Sequence, residues 1–235
     1  MSNFWRELFE SRYIKPEKKL TLREVELAAE ESYLGFVGTA LYAFHDDASD
    51  FNVDRMDVQL SGHERAVAAA RACFDYAVNG RITLSIDPQV SEQQDDLWKC
   101  LTLLVATTRL GAEMYAPTVK SRGIGVPVQL EHLFFQAIIR ARLDIDTNPS
   151  FIEASDDSLP AALRQDTTGY LTLKEVAVLA QMADRAVRNA AQPTAADQLI
   201  TQKQGHQTVV DSHEALRWLK RRRGFTPTAT IESNI

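Results

Sequence analysis

Apolar positions recur at helix-like spacing over four stretches of the first 143 residues: Leu20 to Tyr42, Glu64 to Val78, Glu92 to Leu110 and Val128 to Leu143. Each runs without proline and alternates apolar with polar residues as an amphipathic helix does. Gly80, Pro88, Pro117 and the glycines at 123 and 125 punctuate them. One β-like run, Arg81 to Ile86, reads either as a strand or as an extended connector. The acidic run HDDASDFNVDRMD (45–57) reads as a loop. Over residues 144–170 the periodicity fades among two prolines and many Asp, Ser and Thr residues. That composition predicts a linker with one helical turn at Leu159–Arg164. Order resumes at Leu171, and residues 226–235 read as a disordered tail. The expected organisation is a helical domain (1–143), a linker (144–170) and a C-terminal module (171–225). The fold class expected is mainly α, with one small β-hairpin near the end.

The chain nearly repeats itself once. LTLREVELAA (20–29) and LTLKEVAVLA (171–180) both contain Thr-x-x-Glu, as Thr21–Glu24 and Thr172–Glu175. This is a capping box, in which the Thr hydroxyl and the Glu carboxylate satisfy amides at the helix start. The first copy is followed by a long apolar continuation. The second breaks early and resumes as DRAVRNAA (184–191). Only the second has helix–turn–helix proportions; for 20–29 a shared way of starting a helix suffices.

Downstream, LITQKQGHQTVVDSHEALRWLKRRRGF (199–225) reads as strand, turn, strand, helix. Gly205 supplies the positive φ of a hairpin turn with Gln204 and His206. Ile200, Val209 and Val210 bring β-branched residues to the arms. Asp211-x-x-Glu214 is another cap-like start, and Leu216, Trp218 and Leu219 give that helix an apolar side.

Residues 171–225 resemble the winged helix–turn–helix of the MerR-like and excisionase-like DNA-binding proteins. Glu175-Val176-Ala177 match the opening of that family's first helix, and Val187-Arg188 match its second. The chain departs from the pattern at the turn, where Gln181 stands in place of Gly and Ala183 in place of a capping Ser. Either Gln181 then takes a left-handed conformation at some steric cost or the turn differs from the family's; Asp184 is the substitute cap, starting the helix one residue late. The resemblance implies that the second helix enters the major groove, with Arg185, Arg188 and Asn189 facing base edges. Arg188 has a second reading, as the partner of an acidic neighbour. Thr172 and Asp184 complete the expected contacts on these two helices. Lys203, Gln204, His206 and Gln207 on the wing are expected at phosphate or in the minor groove, although His206 equally suits a solvated turn. Lys220, Arg221, Arg222 and Arg223 are expected at phosphates.

Charge sharpens this picture. The net charge is −6 over 235 residues. Residues 1–170 hold 17 Lys+Arg against 26 Asp+Glu, whereas residues 171–224 hold 9 against 5. An acidic body joined to a basic module points to a polyanion met by the module alone. With 45% hydrophobic residues the chain can bury a core. No apolar run reaches the roughly 20 residues of a membrane span, and the start lacks the apolar centre of a secretory signal. A cytoplasmic, nucleoid-associated protein is expected. Cys73 and Cys100 stand apart in apolar surroundings and read as buried free thiols. His45, Asp46, Asp47, Asp50 and Asp54 lack EF-hand spacing and read as solvated, and SRGIGVP (121–127) reads as a turn. No enzyme motif is present, and neither catalytic residues nor a metal or cofactor is expected.

The function expected from these readings is sequence-specific regulation of transcription by a homodimer on double-stranded DNA. The long helices at 20–42 and 92–110 are candidates for the dimer contact, or simply for the body's own core. An unknown protein or small-molecule effector is expected on the N-terminal body. Two alternatives stay open: an excisionase-like or partition-accessory architectural protein, and a protein-interaction adaptor.

Overall fold

The computed structural model describes residues 4–13, 19–44, 61–85, 87–114, 128–152, 158–166 and 168–232. The described chain is mainly α, with a three-stranded antiparallel sheet near its C-terminal end. The body contains α1 (Phe4–Arg12), α2 (Leu22–Phe44), α3 (Ser61–Ala77), α4 (Pro88–Met114), α5 (Val128–Thr147) and the short α6 (Pro149–Ile152). Strand β1 (Arg81–Leu84) joins α3 to α4, so the β-like run is a strand. Pro88, read as punctuation, opens α4. Its missing N–H falls where a helix has no internal partner for it, and Asp87 accepts from Gln89 N at 2.8 Å. Helix α1 was not anticipated from the sequence. The acidic run at 45–57 and the turn at 121–127 lie outside the described residues.

The module follows as β2 (Tyr170–Thr172), α7 (Leu173–Leu179), α8 (Asp184–Ala190), β3 (Gln202–Gln204), β4 (Gln207–Asp211) and α9 (Ser212–Leu219). Its sheet has the order β2–β4–β3, with Leu171 opposite Val210 and Gln204 opposite Gln207.

Helix α5 joins the two parts because it is apolar on two sides. Leu130, Leu133, Phe134, Ala137, Ile138 and Ala141 face the core shared with α2, α3 and α4. Phe135, Ile139 and Leu143 face a second core with Leu171, Val176, Val187, Val210 and Trp218 of the module. A helix with apolar residues on two sides must be covered on both. The module is therefore packed on the body directly.

This changes the reading of 144–170. Helix α5 continues through residue 147, and Phe151, Leu159 and Leu163 are buried in the body's core. The prolines and polar residues end helices there, but Phe151, Leu159 and Leu163 tie the described parts of the segment to the body. The expected turn at Leu159–Arg164 is present as a 3-10 turn over Ala161–Leu163.

The expected disordered tail also differs. Residues Ala229–Glu232 form β5, a parallel partner of β1 with Arg81 opposite Ala229 and Leu84 opposite Glu232. The approach is held by buried polar groups. Arg140 is 0% exposed and donates to Thr226 O (2.8 Å), Thr228 Oγ1 (3.0 Å) and Ala77 O (3.2 Å). Its guanidinium lies 4.7 Å from the centre of the Phe225 ring. Asp144 accepts from Tyr76 Oη (2.8 Å) and Thr228 Oγ1 (2.7 Å). Burial pushes the Asp144 carboxyl up to about 6, against the pull of Arg140 and the two hydrogen bonds. Gly80 has φ +66°, and a Cβ there would lie 2.7 Å from Pro227 O. This segment, 225–232, is a strap running from α9 back onto the body. Cys73 and Cys100 are free thiols, the first buried and the second half-buried. No described helix is long and apolar enough to cross a membrane.

Candidate nucleic-acid interface

Helix α7 begins with the expected capping box. Thr172 Oγ1 accepts from Glu175 N at 3.3 Å, and Glu175 Oε2 accepts from Thr172 N at 2.6 Å. Thr172 Oγ1 is thereby engaged inside the module, and the residue is half-exposed. Glu175 has a second role that its sequence position does not reveal. It is 1% exposed and forms ion pairs with Arg142 of α5 and, at 3.4 Å, Arg6 of α1. Burial alone would raise its carboxyl; Arg142 and Arg6 outweigh that and hold it below the usual range. Both arginines also reach Tyr170 O, and Arg142 reaches Thr168 Oγ1 at 3.1 Å.

Helix α7 stops at a left-handed residue. Gln181 has φ +53°, the one positive-φ residue other than glycine among the described residues. Its N–H bonds to Val178 O at 3.1 Å, and Met182 N bonds to Ala177 O at 3.0 Å. Those two bonds make a Schellman C-cap, in which the left-handed residue satisfies carbonyls the helix leaves open. Glycine takes this position without steric cost; Gln181 does not, and its Oε1 is buried without a partner. Gly224 closes on the same corner, where a Cβ would fall 2.3 Å from Ala180 O.

Helix α8 then starts at Asp184, with Ala183 at the N-cap making no side-chain bond. The expected capping by Asp184 is therefore corrected. Its Oδ2 instead accepts from Arg188 Nε at 2.8 Å across one helical turn, and its Oδ1 is buried and unpartnered. Val187 is fully buried and pins the helix, which leaves Arg185, Arg188 and Asn189 on the exposed side. Of Arg188's two readings, the pairing with an acidic neighbour is the one formed here.

The hairpin β3–β4 turns through Gly205 and His206, with Gly205 at φ +58°. Glycine first and a single positive φ are the marks of a two-residue II′-type turn. Residues 202–207 are all exposed. Lys203 Nζ bonds to Thr208 Oγ1 at 2.8 Å, and Gln207 Nε2 reaches Glu10 Oε1 of α1 at 3.4 Å. Gln204 and His206 stand at the tip. Ile200 lies before β3 and is 62% exposed, so it does not serve as an arm residue. Val209 and Val210 are buried as expected.

The basic run divides. Asp211 caps α9, accepting from His213 N (2.9 Å) and Glu214 N (3.2 Å). After α9, Arg221 pairs with Asp197 at 3.0 Å, Arg222 pairs with the same carboxylate, and Arg217 joins them at 3.2 Å. Arg222 also lies over the Trp218 ring at 3.9 Å. Burial alone would raise Asp197; hydrogen bonding from Arg217 and the charges of Arg222 and Arg221 hold it below the usual carboxylate range. Arg221 and Arg222 thus fasten the α8–β3 connection to α9. Lys220 and Arg223 are exposed and have no side-chain partner among the described residues.

Among the exposed polar residues of the module are Arg185, Arg188 and Asn189 on α8, Lys203, Gln204, His206 and Gln207 on the hairpin, and Lys220 and Arg223 just after α9. Sequence reasoning missed three internal ion and hydrogen-bond clusters: Glu175 with its two arginines, Asp197 with its three, and Arg140–Asp144 under the strap. Only Glu175 carried a local signal, its place in the capping box. No family model matches this chain, no curated protein matches it, and no solved structure matches it.

Proposed function

We propose that this chain is a sequence-specific DNA-binding regulator that reads duplex DNA with α8 and the β3–β4 wing, in the manner of MerR-like and excisionase-like proteins. The observation that carries the reading is the presentation of α8. Buried Val187 anchors it behind a left-handed turn and leaves Arg185, Arg188 and Asn189 exposed, and the polar hairpin residues 202–207 of the same module are exposed as well. A helix of this width fits the major groove, where arginine pairs with guanine and asparagine with adenine. Lys203, Lys220 and Arg223 suit phosphate contacts, each steepening the salt dependence by about 0.9 log units per log unit of salt.

A single short reading helix makes few contacts, so a homodimer on two half-sites belongs to the proposal. Leu27, Leu34 and Phe36 on α2 and Leu103 on α4 are exposed apolar residues that suit such a contact. Nucleoid association would follow from the DNA affinity.

Selection of bound sequences from a random DNA pool, followed by fluorescence anisotropy over a range of salt, tests the reading. The expected result is a two-fold symmetric site whose binding is lost in the Arg185→Ala/Arg188→Ala variant without a change in melting temperature. No complex even at low salt would defeat the proposal. Strong bending of bound DNA without effect on transcription would favour an architectural role.

A further inference from the structure

The body contains a cleft of about 370 Å³ between α3, β1 and α4. Its volume lies at the small end of the usual range for small-molecule sites, roughly 300–1,000 Å³. Leu97, Ile82 and Trp98 give it an apolar side, and Asp75, Arg81, Thr83 and Gln94 give it a polar one. The polar groups are mostly uncommitted. Asp75 accepts one bond, from Asn79 Nδ2 to its Oδ1 at 2.9 Å. Among the described residues, the side chains of Arg81, Thr83 and Gln94 have no partner, and Arg81 does not pair with Asp75. By contrast, Arg65 and Arg71, on the same helix as Asp75, each hold a carboxylate at 3.0 Å or less.

We infer that this cleft binds a small zwitterion, an α-amino acid with an apolar side chain, whose ammonium meets Asp75, whose carboxylate meets Arg81, and whose side chain lies on Leu97 and Trp98. An acid and a base that line one cleft without ion partners are both matched only by a ligand that carries both charges. A purely cationic or anionic ligand satisfies only one of them. Arginine in particular matches the planar geometry of a carboxylate.

The site is wired to the strap. Arg81, Ile82 and Thr83 belong to β1 and stand opposite Ala229, Thr230 and Ile231 of β5. Tyr76, also in the cleft wall, donates to the same Asp144 oxygen that accepts from Thr228. A ligand held by Arg81 of β1, in a cleft walled by Tyr76, therefore stiffens the segment that leads from α9. This inference does not depend on what the module reads.

Calorimetric titration of the full chain with L-leucine and L-phenylalanine tests it, alongside isoamylamine and 4-methylpentanoate, which each keep one of the two charges. The expected result is saturable binding of at least one amino acid, weakened about tenfold or more in Arg81→Gln and in Asp75→Asn, as loss of a charged hydrogen bond implies. Arg81 is exposed and Asp75 half-buried, and unchanged melting curves verify the folding of both variants. Slower hydrogen exchange of the β5 amides is expected on binding. No saturable heat at about 10 mM, well above a ~1 mM dissociation constant, overturns the site. Equal binding by either single-charge analogue overturns the zwitterion, and unchanged β5 exchange overturns the coupling.

Discussion

The two capping boxes are built from the same pair of bonds. In both, the Glu N–H donates to the Thr hydroxyl at 3.3 Å; the return bond from the Thr N–H to the Glu carboxylate is 3.0 Å at Thr21 and 2.6 Å at Thr172. The apolar register matches too: Leu20, Val25, Ala28 and Ala29 are buried, as are Leu171, Val176, Leu179 and Ala180. The difference lies in the surroundings of the carboxylate. Glu24 sits part-exposed at the start of a 23-residue helix. Glu175 is buried where α1, α5 and α7 converge, with a guanidinium from each of the first two. One local motif thus starts a helix in the first case and joins the C-terminal module to the body in the second.

The most severe test of that difference is truncation at both positions. Glu175→Ala leaves Arg142 and Arg6 without their counter-charge and is expected to cost about 3–5 kcal/mol, the usual result of breaking a buried pair. Glu24→Ala removes the cap bonds of a part-exposed carboxylate and is expected to cost about 1 kcal/mol. Urea unfolding measures both; equal losses would mean that the buried joint adds nothing to the cap.

The second test uses pH. Glu175 titrates below its ordinary 4.5 in the fold, so its contribution is present above that value and is lost as pH falls. Asp144 has the opposite sign. Its folded value of about 6 exceeds its ordinary 3.8, so its contribution is complete below 3.8 and is lost as pH rises through about 6. The loss is on the order of 2–3 kcal/mol. Asp144→Asn is expected to remove that downward slope between pH 4 and 7 while leaving the acid-side slope in place. A variant whose stability curve stays parallel to that of the parent across this window would contradict the assignment.

Smaller effects distinguish the continuations of the two copies. The first helix runs on; the second ends at left-handed Gln181. Gln181→Gly removes the steric cost at the C-cap and is expected to stabilise the protein by up to about 1 kcal/mol, net of the glycine's greater unfolded-state freedom. Thermal unfolding checks it, and destabilisation would mean that the Gln side chain contributes more than its backbone costs. Last, Asp184→Asn frees Arg188 from an i,i+4 pair and removes an anion from α8, the helix proposed to meet DNA. DNA affinity is expected to rise about two- to threefold, measured by anisotropy at fixed salt; an unchanged or weaker affinity would indicate that the pair holds Arg188 in its working position.

These contrasts also mark what a sequence can disclose. The capping boxes, the αL turn at Gln181, the hairpin glycine and the outward face of α8 were legible because each depends on residues a few positions apart. The mainly helical class followed from periodicity for the same reason. The 144–170 stretch misled because proline and polar residues signal the ends of helices, and nothing local tells whether Leu159 and Leu163 find a distant core. The strap was invisible for a related reason. TPTATIE (226–232) is ordinary polar sequence, and its order comes from Arg140 and Asp144, more than 80 residues earlier. Likewise the run at 220–223 looked uniformly available for phosphate, whereas Asp197 engages its middle two arginines.

The parallel pairing of β1 with β5 has a consequence for how the protein is made. A nascent chain carries Arg81–Leu84 through the synthesis of 148 further positions, from Arg81 to Ala229, before the matching strand exists. Until then the β1 edge offers bare amides and carbonyls to whatever strand comes near. Closing so distant a pair is slow relative to helix formation, so the vulnerable interval during biogenesis falls late, and chaperone protection would matter most there.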